Sequence, residues 1–221
     1  MIKTLSVYGL SFAKGIGMTM FTWIFAGTLS MCIGIIAGIL SCNQLSTYCS
    51  RILIKAYTFV AKGIPAYVQI LLAYFVIPNF LGIAIPALWS VIAALAFCSG
   101  AYVAEIVRSG MNTVAVGQWD ACKVLGYSTY NMIFRIIGPQ ALRATLPQLS
   151  GELEQLLKST SLLATVGVTE ITRVGMNIVS RELNPLPVYA LVALIYLVLT
   201  AFFHIAVYFL EKNMRRCYVT R

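Results

Sequence analysis

The sequence predicts an all-α integral membrane protein with five transmembrane helices, and two observations carry that prediction. The chain is 60% hydrophobic and only 10% charged over its 221 residues, whereas soluble domains carry about 25% charged residues. Its apolar residues also fall into five runs, each long enough for the roughly 20 helical residues that cross a bilayer. A water-soluble fold of this length has no interior large enough to hide so much apolar surface.

The first run is Ile16 to Leu40. Within it Gly34 and Gly38 form a GxxxG spacing, which lets a neighbouring helix approach closely. The second, Ile52 to Ile77, is interrupted by Lys62-Gly63-Ile64-Pro65. The third is Pro86 to Val107. The fourth, Ala144 to Val168, is the least hydrophobic and carries Glu152, Glu154 and Lys158. The fifth is Pro187 to Leu210 and holds the lone histidine, His204, which reads as a packed, hydrogen-bonded side chain.

Basic residues set the orientation. Arg51 and Lys55 fall in the first loop, none in the second (Pro78 to Ile85), and Arg108, Lys123, Arg135 and Arg143 in the third. In the fourth loop Arg173 and Arg181 are offset by Glu170 and Glu182, and the tail holds Lys212, Arg215, Arg216 and Arg221. Loops one and three and the tail are therefore expected in the cytoplasm and the N-terminus outside, mildly opposed by Lys3 and Lys14. The net charge of +9 fits loops facing anionic lipid. It does not point to nucleic acid, because no soluble basic domain is present to bind it. The six cysteines, Cys32, Cys42, Cys49, Cys98, Cys122 and Cys217, show no CxxC or His-partnered spacing, so free thiols and no metal site are expected. No cleavage site precedes the first run, so a signal peptide is not expected.

The reading is of one transmembrane domain, 1–221, with a structured cytoplasmic loop, 108–143. That loop is too long for a simple turn. Between Gly117 and Ser128 it is amphipathic, with Trp119, Cys122 and Leu125 at helical spacing. Two roles suit such a segment: a helix lying on the membrane surface, or a docking helix for a soluble partner.

Asp120-Ala121-Cys122, then Gly126, then Ile136 and Pro139, resembles the EAA loop of binding-protein-dependent ABC importer permeases. Asp120 stands for Glu, Cys122 for the second Ala and Gly138 for Leu. The flanks resemble the polar amino-acid branch, the histidine, glutamine and arginine permeases. Ala101-Tyr102-Val103-Ala104-Glu105-Ile106-Val107-Arg108-Ser109-Gly110 is similar to AYxAEIxRGGI, Gly117-Gln118 to the GQ before EAA, and Pro139-Gln140-Ala141-Leu142-Arg143 to PQAxR. Leu156 to Leu162 is similar to LLKDTSL, with Ser159 where Asp is usual, and Lys62 to Pro65 is similar to the RGTP turn. The resemblance runs from about Gly15 to Arg216.

It implies the type I ABC importer permease fold, in the bacterial cytoplasmic (inner) membrane. The implied function is a translocation path for a polar amino acid, delivered by a separate extracytoplasmic solute-binding protein. ABC ATPase subunits would supply hydrolysis, with ATP and Mg held on the partner, and a second permease copy or a sister permease would complete the path. The chain itself has no GxxxxGK[ST] loop to cradle phosphates, so it is read as a transporter subunit with no catalytic residues, cofactor or metal of its own.

The coupling residues implied are Gly117, Gln118, Asp120, Ala121 and Gly126. Asp120 would meet a basic residue of the ATPase or cap its own helix, and Gly126 would permit a sharp turn. Charges inside a bilayer point to function, so the substrate path is read as Glu152, Lys158, Thr160, Ser161, Gln69 and Tyr67. Lys158 would meet the substrate carboxylate and Glu152 its ammonium, with hydroxyls from Thr160 and Ser161. An ion pair between Glu154 and Lys158 at i, i+4 is the structural alternative. Glu105 is expected to pair with Arg108 at i+3. Ser159, lacking the usual negative charge, disfavours a strongly cationic substrate.

Three other function classes fit less well, and a structural scaffold, the first, does not explain the Glu152 and Lys158 charges in the apolar layer. An ion-gradient-driven secondary transporter of small polar solutes is the alternative, but such chains are built from inverted repeats and no convincing repeat is visible. A membrane enzyme would need a constellation such as HExxH, which is absent.

Overall fold

The structure, a computed structural model, describes the backbone of residues 2–219 and the side chains of residues 7–212. The side chains of Lys3, Arg215, Arg216, Cys217 and Arg221 lie outside that range. Every regular element among the described residues is helical: α1 Ile2–Ser41, α2 Tyr48–Gly63, α3 Ala66–Leu81, α4 Ala87–Thr113, α5 Val116–Val124, α6 Thr129–Val166, α7 Ile171–Glu182 and α8 Pro185–Val219. α3 widens to a π-turn over Leu72–Val76, and α6 does so over Met132–Ile137. α6 ends as a tighter 3₁₀ segment, Thr160–Val166.

Three helices are long and apolar enough to cross a membrane unaided: Val7–Ser41, Ala87–Thr113 and Pro185–Lys212. The number rises to five when each of two broken pairs, α2 with α3 and α6 with α7, counts as one span. The break between α2 and α3 has a local cause. Pro65 disfavours the α region for the residue before it, and Ile64 is extended at φ −100°, ψ 128°. α2 begins with a capping box in which Thr47 and Ser50 satisfy each other's free amides.

The chain packs as two compact units. One comprises residues 1–28, 65–96 and 153–209. Its two cores gather Ala26, Ile70, Leu95 and Leu163, and Phe12, Ile171, Val174 and Val188. The Trp23 indole N–H donates to the Leu153 carbonyl at 2.8 Å. The other unit comprises residues 29–64, 97–152 and 210–221. There Gly34 and Gly38 serve the close contact expected of them: a Cβ on Gly34 would collide with Val103, and one on Gly38 would lie 2.6 Å from Val107.

The stretch expected as a fourth loop is largely helix, α7. Glu170 is not a solvated loop charge. It is fully buried and caps α7, accepting the Thr172 and Arg173 amides at 2.7 Å each and the Tyr196 hydroxyl at 2.9 Å. A carboxyl group at a helix N-terminus accepts from the free amides of the first turn.

Candidate functional site

Two regions gather the residues singled out by sequence. The first is α5, the expected docking helix. Trp119 and Cys122 are buried, packed with Cys42, Met111, Val114, Met132, Ile137 and Ala141. A buried aromatic ring removes roughly 150–250 Å² from water, so at about 25 cal/mol per Å² this anchor holds the helix firmly. The opposite face is open: Gly117, Gln118, Asp120 and Ala121 are exposed, as is Gly126 just beyond the helix.

Two expectations for α5 are corrected. Leu125 does not share the buried face but is 72% exposed, beside Val124 at 88%. The helix ends at Val124, and the chain turns away before Leu125 can follow Trp119 and Cys122 inward. Asp120 does not cap the helix. Ala115 holds that position, and Asp120 sits mid-helix, 3.5 Å from Lys123 in an exposed pair. Such a pair contributes little to stability, so the carboxylate is available to a partner.

Gly126 performs the expected turn, at φ +72°. Its amide reaches the Lys123 carbonyl and the next amide, of Tyr127, reaches the Cys122 carbonyl, both at 3.0 Å. These two bonds close the helix C-terminus around a left-handed residue. An L side chain there meets the steric penalty of that region.

The second region is the charged stretch of α6. Lys158 donates to Glu154 at 2.5 Å, and Nε2 of His204, from α8, lies 2.8 Å from the other Glu154 oxygen. Glu154 is 15% exposed and Lys158 52%. The structure thus forms the i, i+4 pair and adds a histidine from fifty residues away. His204 lies beside a carboxylate, but it is exposed and not packed as expected.

Glu152 is not part of this cluster. Its carboxylate accepts the buried Ser99 hydroxyl at 2.7 Å. Six residues separate it from Lys158, a net rotation of about 240° around a helix, so the two cannot share a face. Lys158 therefore pairs with Glu154, and Glu152 is held apart from it by Ser99. Thr160 is fully buried, and its hydroxyl donates to the Leu157 carbonyl at 2.7 Å. The Ser161 hydroxyl donates to the Lys158 carbonyl at 2.8 Å. Both hydroxyls engage their own helix. Gln69 is buried on α3, and Tyr67 is 44% exposed.

Glu105 also departs from expectation. It pairs with Lys62, at the end of α2, and not with Arg108. The Lys62 ammonium also lies over the Tyr102 ring, 5.2 Å from its centroid, within cation–π range. No spacing rule in the sequence links Lys62 to Glu105. The link needs the packing of α2 on α4.

Residues 30–216 match the family described as binding-protein-dependent transport system inner membrane component. The chain is similar to the probable amino-acid ABC transporter permease protein YckA of Bacillus subtilis (strain 168), 36% identical over 186 residues, 83% of this chain and 80% of that one. It is similar to the glutamine transport system permease protein GlnP of Escherichia coli (strain K12), 29% identical over 203 residues, 91% and 92% of the two chains. Among solved structures it resembles a crystal structure of an amino acid ABC transporter with histidines. The TM-score is 0.84 at 30% identity, over 95% of this chain and 97% of that one. An inward-facing structure of the MetNI methionine ABC transporter shares the fold at TM-score 0.82 and 15% identity, over 94% and 97%. The helical order, the short helix α5 with its left-handed glycine and a match spanning most of the chain agree: this chain belongs to the binding-protein-dependent transport system inner membrane components.

Proposed function

We propose that this chain forms the translocation path for a polar amino acid in an ATP-driven importer. One observation carries the reading. α5 is anchored by buried Trp119 and Cys122 while Asp120, Val124 and Leu125 face outward. An apolar tip beside a carboxylate suits insertion into a groove of a separate ATPase, helix-in-groove being a common recognition mode. ATP and Mg are held by that partner. An extracytoplasmic binding protein delivers the solute, and a second permease, identical or sister, completes the path. The amino-acid cargo is supported by the relatives named above and by the Glu154–Lys158 pair, which offers both countercharges a zwitterion needs.

Reconstitution tests it. Proteoliposomes containing this chain, its ATPase and its binding protein are expected to accumulate labelled polar amino acid only when ATP reaches the ATPase. Uptake driven by an ion gradient with the ATPase omitted would sink the reading.

The proposed topology has five spans, with the N-terminus outside and the α1–α2 turn in the cytoplasm. It is tested with variants retaining a single cysteine. Cys49 is exposed in the first turn of α2. In intact cells it is expected to escape a membrane-impermeant maleimide and in inside-out vesicles to react. Cys42, seven residues away, is fully buried, and desolvation pushes its thiol above the ordinary value. Thiolate is the reactive form, so Cys42 should stay unlabelled in both. Labelling of Cys49 in intact cells would invert the topology.

A further inference from the structure

A cleft of about 390 Å³ opens in the second unit where the end of α1, the start of α2 and the later turns of α4 converge. That volume lies in the range of small-ligand sites. Three cations line it: Arg51, Lys55 and Arg108. Its one acidic lining residue, Glu105, is engaged by Lys62. Arg51 gives one nitrogen to the Ser46 hydroxyl at 2.7 Å. The Lys55 and Arg108 side chains form no hydrogen bond or ion pair among the described residues. Two uncompensated cations in one concave site attract an anion.

The helix bearing two of these cations is divided along its length. Arg51, Lys55 and Thr58, at i, i+4 and i+7, line the cleft. Ile52, Phe59 and Val60, at i, i+7 and i+8, form an exposed apolar stripe beside them. A helix with cations on one face and apolar groups on the next has the pattern of a membrane-interface element. The cleft adjoins Ser41, where the long apolar helix α1 ends. A free anion would use only the cations. A phospholipid would use both faces, its phosphate on the cations and its acyl chains along the stripe.

We propose that this cleft binds the phosphate headgroup of an anionic membrane lipid, with Lys55 and Arg108 meeting the phosphate and Ile52, Phe59 and Val60 bordering the acyl chains. Basic pockets between helices at a membrane surface suit such headgroups.

The test is native mass spectrometry of the full chain released from micelles, with phosphatidylglycerol and phosphatidylcholine as probes. Wild-type protein is expected to retain phosphatidylglycerol in preference to phosphatidylcholine. Each cation near a membrane surface contributes about fivefold, so Lys55→Gln with Arg108→Gln should lower phosphatidylglycerol retention about twenty-fivefold. The charge-matched control, Lys14→Gln with Arg181→Gln, alters two exposed cations elsewhere and should retain the lipid. Lys55→Arg with Arg108→Lys should also retain it, which separates loss of charge from misfolding. Equal loss in both Gln pairs would reduce the effect to general charge attraction and overturn the site. Displacement of the lipid by millimolar inorganic phosphate would assign the cleft to a free anion and overturn the lipid assignment.

Discussion

Gly126→Pro is expected to leave the subunit inserted in the membrane and assembled with its ATPase, yet to abolish substrate-stimulated ATP hydrolysis by the complex. The reason is local. Gly126 sits at φ +72°, and the pyrrolidine ring fixes φ near −65°. Proline also deletes the amide that reaches the Lys123 carbonyl at 3.0 Å. A penalty of about 3 kcal/mol shifts a local equilibrium by roughly a hundredfold, so the turn after α5 no longer holds its native path. Val124 and Leu125, the exposed apolar tip, are then presented at the wrong angle. Asp120→Lys tests the same surface without touching the backbone. Asp120 is exposed and only weakly paired, so folding should be unaffected while the charge offered to the ATPase is inverted. Coupled ATP hydrolysis is measured with substrate-loaded binding protein present and absent. Normal stimulation in both variants would remove α5 from the coupling path.

How much of this was legible in the sequence depended on whether the cause was local. The α2–α3 break is visible at Ile64-Pro65 because proline restricts its own neighbour. Gly126 is visible because a helix that must end sharply takes glycine at the left-handed position. Gly34 and Gly38 are visible because four-residue spacing places both on one helix face. Helix ends were less legible. The third apolar run stops at Val107, but α4 continues to Thr113, since a helix persists through polar residues once it leaves the apolar layer. α7 was hidden for a related reason. Its residues are too polar to read as a span, and the buried cap that fixes its start, Glu170, looks like any loop carboxylate.

The charged pairs were least legible. Lys62 with Glu105, Ser99 with Glu152, and Glu154 with His204 join residues 43, 53 and 50 positions apart. Which of several nearby partners a carboxylate takes depends on how each helix is rotated about its axis. Glu105 had Arg108 at a permitted spacing and took Lys62 across the helix pair. Glu152 and Glu154 lie two residues apart, nearly opposite on a helix, and so met different partners: a neutral hydroxyl for one, two basic groups for the other. Hydropathy and spacing rules do not carry that rotation.

Lys158→Ala is expected to reduce transport severely while leaving assembly with the ATPase intact. Lys158 lies in the stretch of α6 proposed to cross the membrane, where an unpaired ammonium is costly. Glu154 holds it at 2.5 Å, and His204 reaches the same carboxylate from α8 at 2.8 Å. The Lys158 side chain is 52% exposed and the Glu154 side chain 15%, so the ammonium is the accessible end of the pair. An arriving zwitterion can exchange its carboxylate for that of Glu154, and its ammonium can then meet the released glutamate. One charge-assisted pair replaces another, which keeps binding weak enough for release. A charge-assisted hydrogen bond contributes about 1.5–3 kcal/mol, so its loss corresponds to a fall of roughly ten- to a hundredfold in transport at low substrate. Lys158→Arg should be intermediate, because guanidinium meets a carboxylate but is bulkier and planar. His204→Ala should cost less than Lys158→Ala, since Glu154 keeps its ammonium partner. Initial uptake rates in proteoliposomes, taken beside basal ATP hydrolysis as a measure of assembly, read all three. If Lys158→Ala transports at the wild-type rate, Lys158 is a structural partner of Glu154, and the path must be sought around Tyr67 and Gln69 on α3.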